Sequence, residues 1–222
     1  MPLNIAIDGP VGAGKSSVAS RVAEELHILH LDTGAMYRAA ALYMLRSGID
    51  PQDERAVEAA LGGCRVDVRY EDGRQRTLLC GEDVSGLIRT PEISEATSAL
   101  SKWAAVRRKM VAMQQRIARD NDLLMDGRDI GTVVLPEATL KIYLTADPRE
   151  RARRRYLEMQ AKGLPDTYEA VLSALTARDE QDMHRKVTPL RQAPDAVRLD
   201  STRMSEDEVV DAIVKMAKEA QV

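Results

Sequence analysis

The run Gly9-Pro10-Val11-Gly12-Ala13-Gly14-Lys15-Ser16, followed by Ser17, has the spacing G-x-x-x-x-G-K-S. Glycines let the backbone curl until successive N–H groups point into one concavity. A helix starting at that point adds partial positive charge. Such a loop holds phosphate oxygens: Lys15 can reach the outer phosphates, and the Ser16 hydroxyl can ligate Mg²⁺. Arginines form the second chemical set. They outnumber lysines 24 to 8, and guanidinium forks pair with phosphate oxygens bidentately. A GC-rich genome would give the same excess, so their positions carry the argument. Arg38, Arg128, Arg178 and Arg185 stand near the loops where a ligand would sit.

The elements around these residues supply the context a phosphate loop needs. Asn4–Asp8 reads as a short buried strand, and Val18, Val22, Ala23 and Leu26 follow at helical spacing. Four more runs read as buried strands: Ile28–Asp32, Leu123–Asp126, Lys141–Leu144 and Val197–Leu199. Trp103, Val106, Met110, Met113 and Ile117 form one apolar stripe on a long helix, and Ser205 with Glu208 forms a capping box. Strands alternating with helices predict an α/β fold with a parallel sheet covered on both faces. From about Cys64 to Val84 the period changes to two around Asp72-Gly73, which predicts a small antiparallel hairpin insert. Gly163-Leu164-Pro165-Asp166 breaks a helical region between Pro148 and about Met183 into an arginine-rich helical hairpin.

The 222 residues suit a single domain, with a small insert at about 62–90 and the helical hairpin at about 148–186. A formal charge of −3 gives no overall basic field for polymeric nucleic acid. No 18-residue apolar stretch exists, and Met1–Ile7 is too short for a signal peptide, so no membrane association and a cytoplasmic location are expected. Cys64 and Cys80 flank the hairpin turn and read as free thiols that could face each other. His27, His30 and His184 show no metal-ligand spacing.

A phosphate loop serves many reactions. The guanine-reading N-K-x-D and the transporter signature L-S-G-G-Q are both absent, and the chain is short, which favours a kinase of a small metabolite. Phosphoryl transfer asks the protein chiefly for alignment and charge neutralisation. A hydroxyl acceptor usually needs a carboxylate base. A phosphate monoester, with a second pKa near ~6, is mostly dianionic already and needs arginines instead. The loops at Asp8, Asp32 and Asp126 should converge beyond the strand C-termini, so a nucleoside monophosphate is the leading acceptor.

Four stretches together resemble the bacterial cytidylate kinase family: Gly9–Ser17; Asp32-Thr33-Gly34-Ala35-Met36-Tyr37-Arg38; Gly81-Glu82-Asp83-Val84-Ser85-Gly86-Leu87-Ile88-Arg89-Thr90; and Asp126-Gly127-Arg128-Asp129-Ile130-Gly131-Thr132-Val133-Val134. The resemblance covers essentially the whole chain, insert included. It implies a phosphate-loop kinase with ATP as donor, CMP and dCMP as acceptors, Mg²⁺ as cofactor, and a monomer. It also implies residue roles. Thr33, Arg38 and Arg128 would hold the acceptor phosphate, with Arg185 joining the grip. Ser98, Arg107 and Asp129 would read cytosine, the carboxylate accepting from the exocyclic amine. Arg178 and Asp182 would approach the ribose. Arg151, Arg154 and Arg155 would close over ATP as a lid. Lys15, Arg128, Arg155 and Arg178 would surround the moving phosphoryl group.

Plainer readings stand beside these. Arg151 to Arg155 could be a solvated helix face, and Arg178 with Asp182 could be an i, i+4 helix pair. Asp126 could order Mg²⁺ through water or cap a turn. Only one of Arg107 and Arg108 can face the site. Two other functions remain: a kinase of UMP, AMP or a hydroxyl metabolite, and a nucleotide-binding regulator without turnover.

Overall fold

The structure, a computed structural model, describes residues 2–161 and 163–220. A five-stranded parallel sheet forms its centre, in the order β2-β6-β1-β7-β8. The strands are β1 Asn4–Asp8, β2 Leu29–Asp32, β6 Leu123–Gly127, β7 Leu140–Thr145 and β8 Val197–Asp200. All five predicted strands are present. β2 starts one residue later than predicted because the Ile28 N–H is spent closing the helix before it. Ile28 N donates to Ala23 O at 2.9 Å, and His27 N donates to Glu24 O at 3.2 Å, with His27 itself at φ 56°. That is a Schellman ending with histidine in the left-handed position.

Successive side chains on each strand face opposite layers. Ile5, Ile7, Leu124, Ile142 and Leu144 pack against α1 (Lys15–Glu25) and α8 (Glu206–Glu219). Ala6, Leu31, Leu123 and Met125 pack on the other face against α2 (Thr33–Arg46), α4 (Pro91–Leu100) and α5 (Ala104–Arg119). Each fully buried Ile or Leu contributes about 1.5–3 kcal/mol, so the alternation fixes which face each strand presents. The predicted stripe holds: Val106, Met110 and Met113 are buried, with Trp103 and Ile117 packed at the margin. The predicted capping box is also present at Ser205 and Glu208.

The insert is a second sheet, β3 Val66–Glu71, β4 Arg74–Leu79 and β5 Glu82–Asp83, all antiparallel. Its turn residues Asp72 and Gly73 have φ of 51° and 73°, the two positive values a tight two-residue hairpin needs. Val66, Leu79, Val84 and Ile88 anchor it to the α2 side of the core. Helix α3 (Glu54–Ala60) precedes it. Both cysteines are free thiols; Cys64 is buried and Cys80 exposed, and Cys80 N donates to Arg65 O at 2.7 Å. Helices α6 (Pro148–Ala161) and α7 (Tyr168–His184) form the predicted helical hairpin, joined through Ala152, Val171 and Leu175.

Register makes the site. Asp8 pairs with Gly127, and Asp32 with Asp126, so β1, β2 and β6 end together. Their following loops open into one crevice. No helix among the described residues is long and apolar enough to cross a membrane.

Candidate active site

The phosphate loop links β1 to α1 and is braced from behind. A Cβ on Gly9 would lie 2.0 Å from Leu144 O, so only glycine lets the loop pass β7. Arg151, buried in α6, donates to Val11 O at 2.8 Å, Ala146 O at 3.0 Å and Asp179 Oδ2 at 2.6 Å. Asp179 in turn accepts from Val11 N at 3.1 Å. Arg151 therefore supports the loop and does not stand open above it as the lid reading expects. The Lys15 ammonium donates to Pro10 O at 2.7 Å. Burial, and next the charge of Arg128, push its pKa down to about 7.

Three strand-ending carboxylates do three different things. Asp8 accepts from Ile130 N at 2.8 Å and Gly131 N at 2.7 Å, fixing the π-turn Ile130–Val134. Burial still raises its carboxyl to about 6 against those two bonds. Asp126 accepts from Ser16 Oγ at 2.7 Å and lies 2.8 Å from His30 Nε2. Burial is the largest influence and opposes charge on both partners, but their hydrogen bond and the neighbouring charges together outweigh it: His30 is raised and Asp126 is lowered. Asp32 caps α2 through Ala35 N at 2.9 Å, accepts from Arg89 at 2.9 Å and sits 3.5 Å from Arg38.

A cleft of about 640 Å³ runs from the loop to the opposite wall. Thr33, whose hydroxyl donates to Asp126 O at 2.6 Å, lies on its floor. Two buried carboxylates gather the arginines there. Asp129 holds Arg107 at 2.5 Å and Arg185 at 3.5 Å. Asp182 holds Arg128 at 2.8 Å, Arg185 at 3.7 Å and Arg178 at 3.8 Å. The pairs do not use up the donors. Arg38 Nη1, Arg107 Nε, Arg178 Nε and Arg185 Nη2 are buried without a hydrogen-bond acceptor, as is the Tyr37 hydroxyl. Burial holds Arg178 and Arg185 below the usual arginine range; for Arg185 the neighbouring Arg107 adds to it. Surplus cationic donors around an open cleft are what an anion would satisfy.

The structure thus brings together Lys15, Ser16, Thr33, Arg38, Arg107, Arg128, Asp129, Arg178, Asp182 and Arg185 around one cleft. Arg107 faces it, while Arg108 is exposed and lies 3.9 Å from Glu58. Arg155 lines the cleft and donates to Glu158 at 2.8 Å. Arg154 lines a second cavity of about 460 Å³ beside Gly12–Gly14 and donates to Ser201 O at 2.6 Å. Ser98 is outside this set: its hydroxyl donates to Gln181 at 2.8 Å, and Thr97 and Ser101 line the cleft in its place. Several members were not singled out from sequence. Tyr37 lies inside the Asp32–Arg38 stretch and carries the Arg107 guanidinium 5.4 Å from its ring centre. Arg89 is the penultimate residue of the Gly81–Thr90 stretch. Both sat within the quoted motifs, so the signal was there. His30, Asp8 and Asp179 act through partners 96, 122 and 168 residues away, which no local pattern reveals.

The profile of the family described as Cytidylate kinase matches residues 5–219. The chain is 46% identical over 214 residues to the cytidylate kinase of Caldicellulosiruptor bescii, covering 96% of this chain and 95% of that one. It is 47% identical over 220 residues to the cytidylate kinase of Limosilactobacillus reuteri, covering 99% and 96%. Among solved structures, an uncharacterized protein from Eubacterium ventriosum has the same fold, with a TM-score of 0.51 at 12% identity over 99% of each chain. With the whole sheet, insert and cleft inside the matched span, the chain belongs to the cytidylate kinase family.

Proposed function

We propose that the chain transfers the γ-phosphoryl group of ATP to the phosphate of CMP, and also of dCMP, giving ADP and the nucleoside diphosphate. One observation supports this above all: buried arginine donors without acceptors face Lys15 and Ser16 across a single cleft. The loop amides and Lys15 take the donor phosphates. Thr33, Arg38, Arg128 and Arg185 take the acceptor phosphate, whose own oxygen attacks. Being dianionic near neutral pH, it needs no base. Arg107 and Asp129 read cytosine, with Asp182 and Arg178 toward the ribose, while the Ser98 hydroxyl, turned to Gln181, stands outside that subsite.

Ser16 and Asp126 fit Mg²⁺: a hydroxyl oxygen and a carboxylate held ionised stand 2.7 Å apart beside the loop. When bound, the ion would neutralise charge on the donor phosphates. Helices α6 and α7, at about 148–186, form the lid, with Arg154 and Arg155 nearest the donor and Arg151 bracing the loop. Closure excludes water, which otherwise competes as acceptor. The reading carries with it a cytoplasmic location and the monomer that the resemblance implies.

A coupled ADP-release assay across CMP, dCMP, UMP and AMP tests the assignment. CMP and dCMP should have the highest kcat/KM. UMP or AMP ahead of CMP would replace the cytosine reading with another monophosphate. No turnover with any acceptor would favour a binding regulator.

A further inference from the structure

The insert meets the free edge of β2 through the side chain of Gln75. Strand β2 is the edge of the main sheet, so the groups on its outer side have no strand to pair with. Leu29 N donates to Asp122 O on the β6 side. Asp32, three residues on, points its N–H the other way. There the Gln75 amide from β4 meets it: Asp32 N donates to Gln75 Oε1 at 2.7 Å, and Gln75 Nε2 donates back to Asp32 O at 3.3 Å. This is the reciprocal pair one residue of an antiparallel strand would make, supplied by a side chain. The Asp32 N–H can only donate and the Asp32 carbonyl can only accept, which fixes which end of the amide faces which group, and Gln75 Nε2 also donates to Thr77 Oγ1 at 3.1 Å. Tyr70 of β3 adds a hydrogen bond from its hydroxyl to His30 O at 3.2 Å.

We propose that Gln75 is a positioning residue for the acceptor subsite, acting as a one-residue strand that clamps the end of β2. Asp32 is the residue that caps α2, and its carboxylate anchors Arg89 and Arg38. The fit is tight, since a Cβ on the next-but-one Gly34 would lie 3.1 Å from Asp32 Oδ1. A slack Asp32 peptide therefore moves the carboxylate and the Arg38 fork with it. The donor loop has no bond to Gln75 and stays in place. The inference rests on the reading that Arg38 takes the acceptor phosphate.

The experiment measures KM for CMP, KM for ATP, kcat and Tm for Gln75→Leu, Arg38→Ala and the double variant, with Gln75→Met as a second side chain of similar length. Gln75→Leu should raise KM for CMP roughly tenfold, as expected for losing a paired hydrogen bond that orients a charged group, and leave KM for ATP and kcat within about twofold. In the Arg38→Ala background, the same change should add almost nothing, because the arm it positions is gone. An unchanged KM for CMP in both Gln75 variants overturns the inference. So does full additivity with Arg38→Ala, which marks a merely structural residue. The Arg38→Ala single variant separates the two failures: if it alone raises KM for CMP, the acceptor reading survives without Gln75, and if it does not, both fall.

Discussion

The donor and acceptor halves of the cleft are built in opposite ways. The donor half is eight contiguous residues whose side chains, and the backbone of Val11, are already paired: Lys15 to Pro10, Ser16 to Asp126, Val11 to Arg151 and Asp179. The acceptor half is drawn from α2, β6, α5 and α7, and it keeps nitrogens without a hydrogen-bond acceptor on four arginines. A backbone loop can be preformed because its shape is local. An arginine cluster is held apart only by its carboxylates, here Asp129 and Asp182, until an anion enters. Generality therefore resides in the donor half and selectivity in the acceptor half.

Removing the donor cation should have the largest effect. Lys15→Ala should lower kcat by ~10³-fold or more with Tm retained, because the side chain acts on charge and not on packing. Rapid-quench or steady-state rates read it, and a fall of less than tenfold would remove Lys15 from the reaction. On the acceptor side, Arg128→Ala should lower kcat/KM for CMP by ~10²–10³-fold while leaving KM for ATP near its starting value. Equal loss for both substrates would mean the halves are not separable.

The brace should separate stability from chemistry. Arg151→Met leaves the Asp179 carboxylate buried without its cation, a change costing about 3 kcal/mol in comparable sites. Denaturant unfolding should show that loss, with KM for ATP rising more than KM for CMP. The reverse order would place Arg151 over the acceptor.

The smallest effect is a proton. With Lys15 at about 7 in the free protein, roughly nine-tenths of it is neutral at pH 8. ATP phosphates should restore the charge, so binding at pH 8 should take up ~0.9 proton, read by calorimetry in buffers of different ionisation heat. Lys15→Met should abolish the uptake. In the free protein, the same depression costs stability below about pH 7, and that cost fades as the pH rises toward 10.5.

This contrast also explains what could be read from the sequence. The donor loop, all five central strands, the hairpin turn and the helical hairpin depend on local period and glycine placement, and these were legible. Arg38 and Arg128 were legible as candidates because they follow strands, and Arg178 and Arg185, further on, took their roles from the family resemblance. Whether Arg151 braces or covers was not legible, since Asp179 decides it from 28 residues away. Ser98 had equal neighbours on the same helix, and only the helix rotation shows that it turns toward Gln181. Gln75 had no signal of its own: a polar residue in an exposed hairpin becomes meaningful only when the insert lies against the β2 edge.

The proposed chemistry depends above all on the acceptor being a phosphate held by arginines, with no base activating a hydroxyl. ADP release with CMP and with cytidine, at equal concentration and saturating ATP, tests this in one comparison. Turnover with CMP and none above background with cytidine is the predicted result. Phosphorylation of cytidine at a rate comparable to CMP would contradict it.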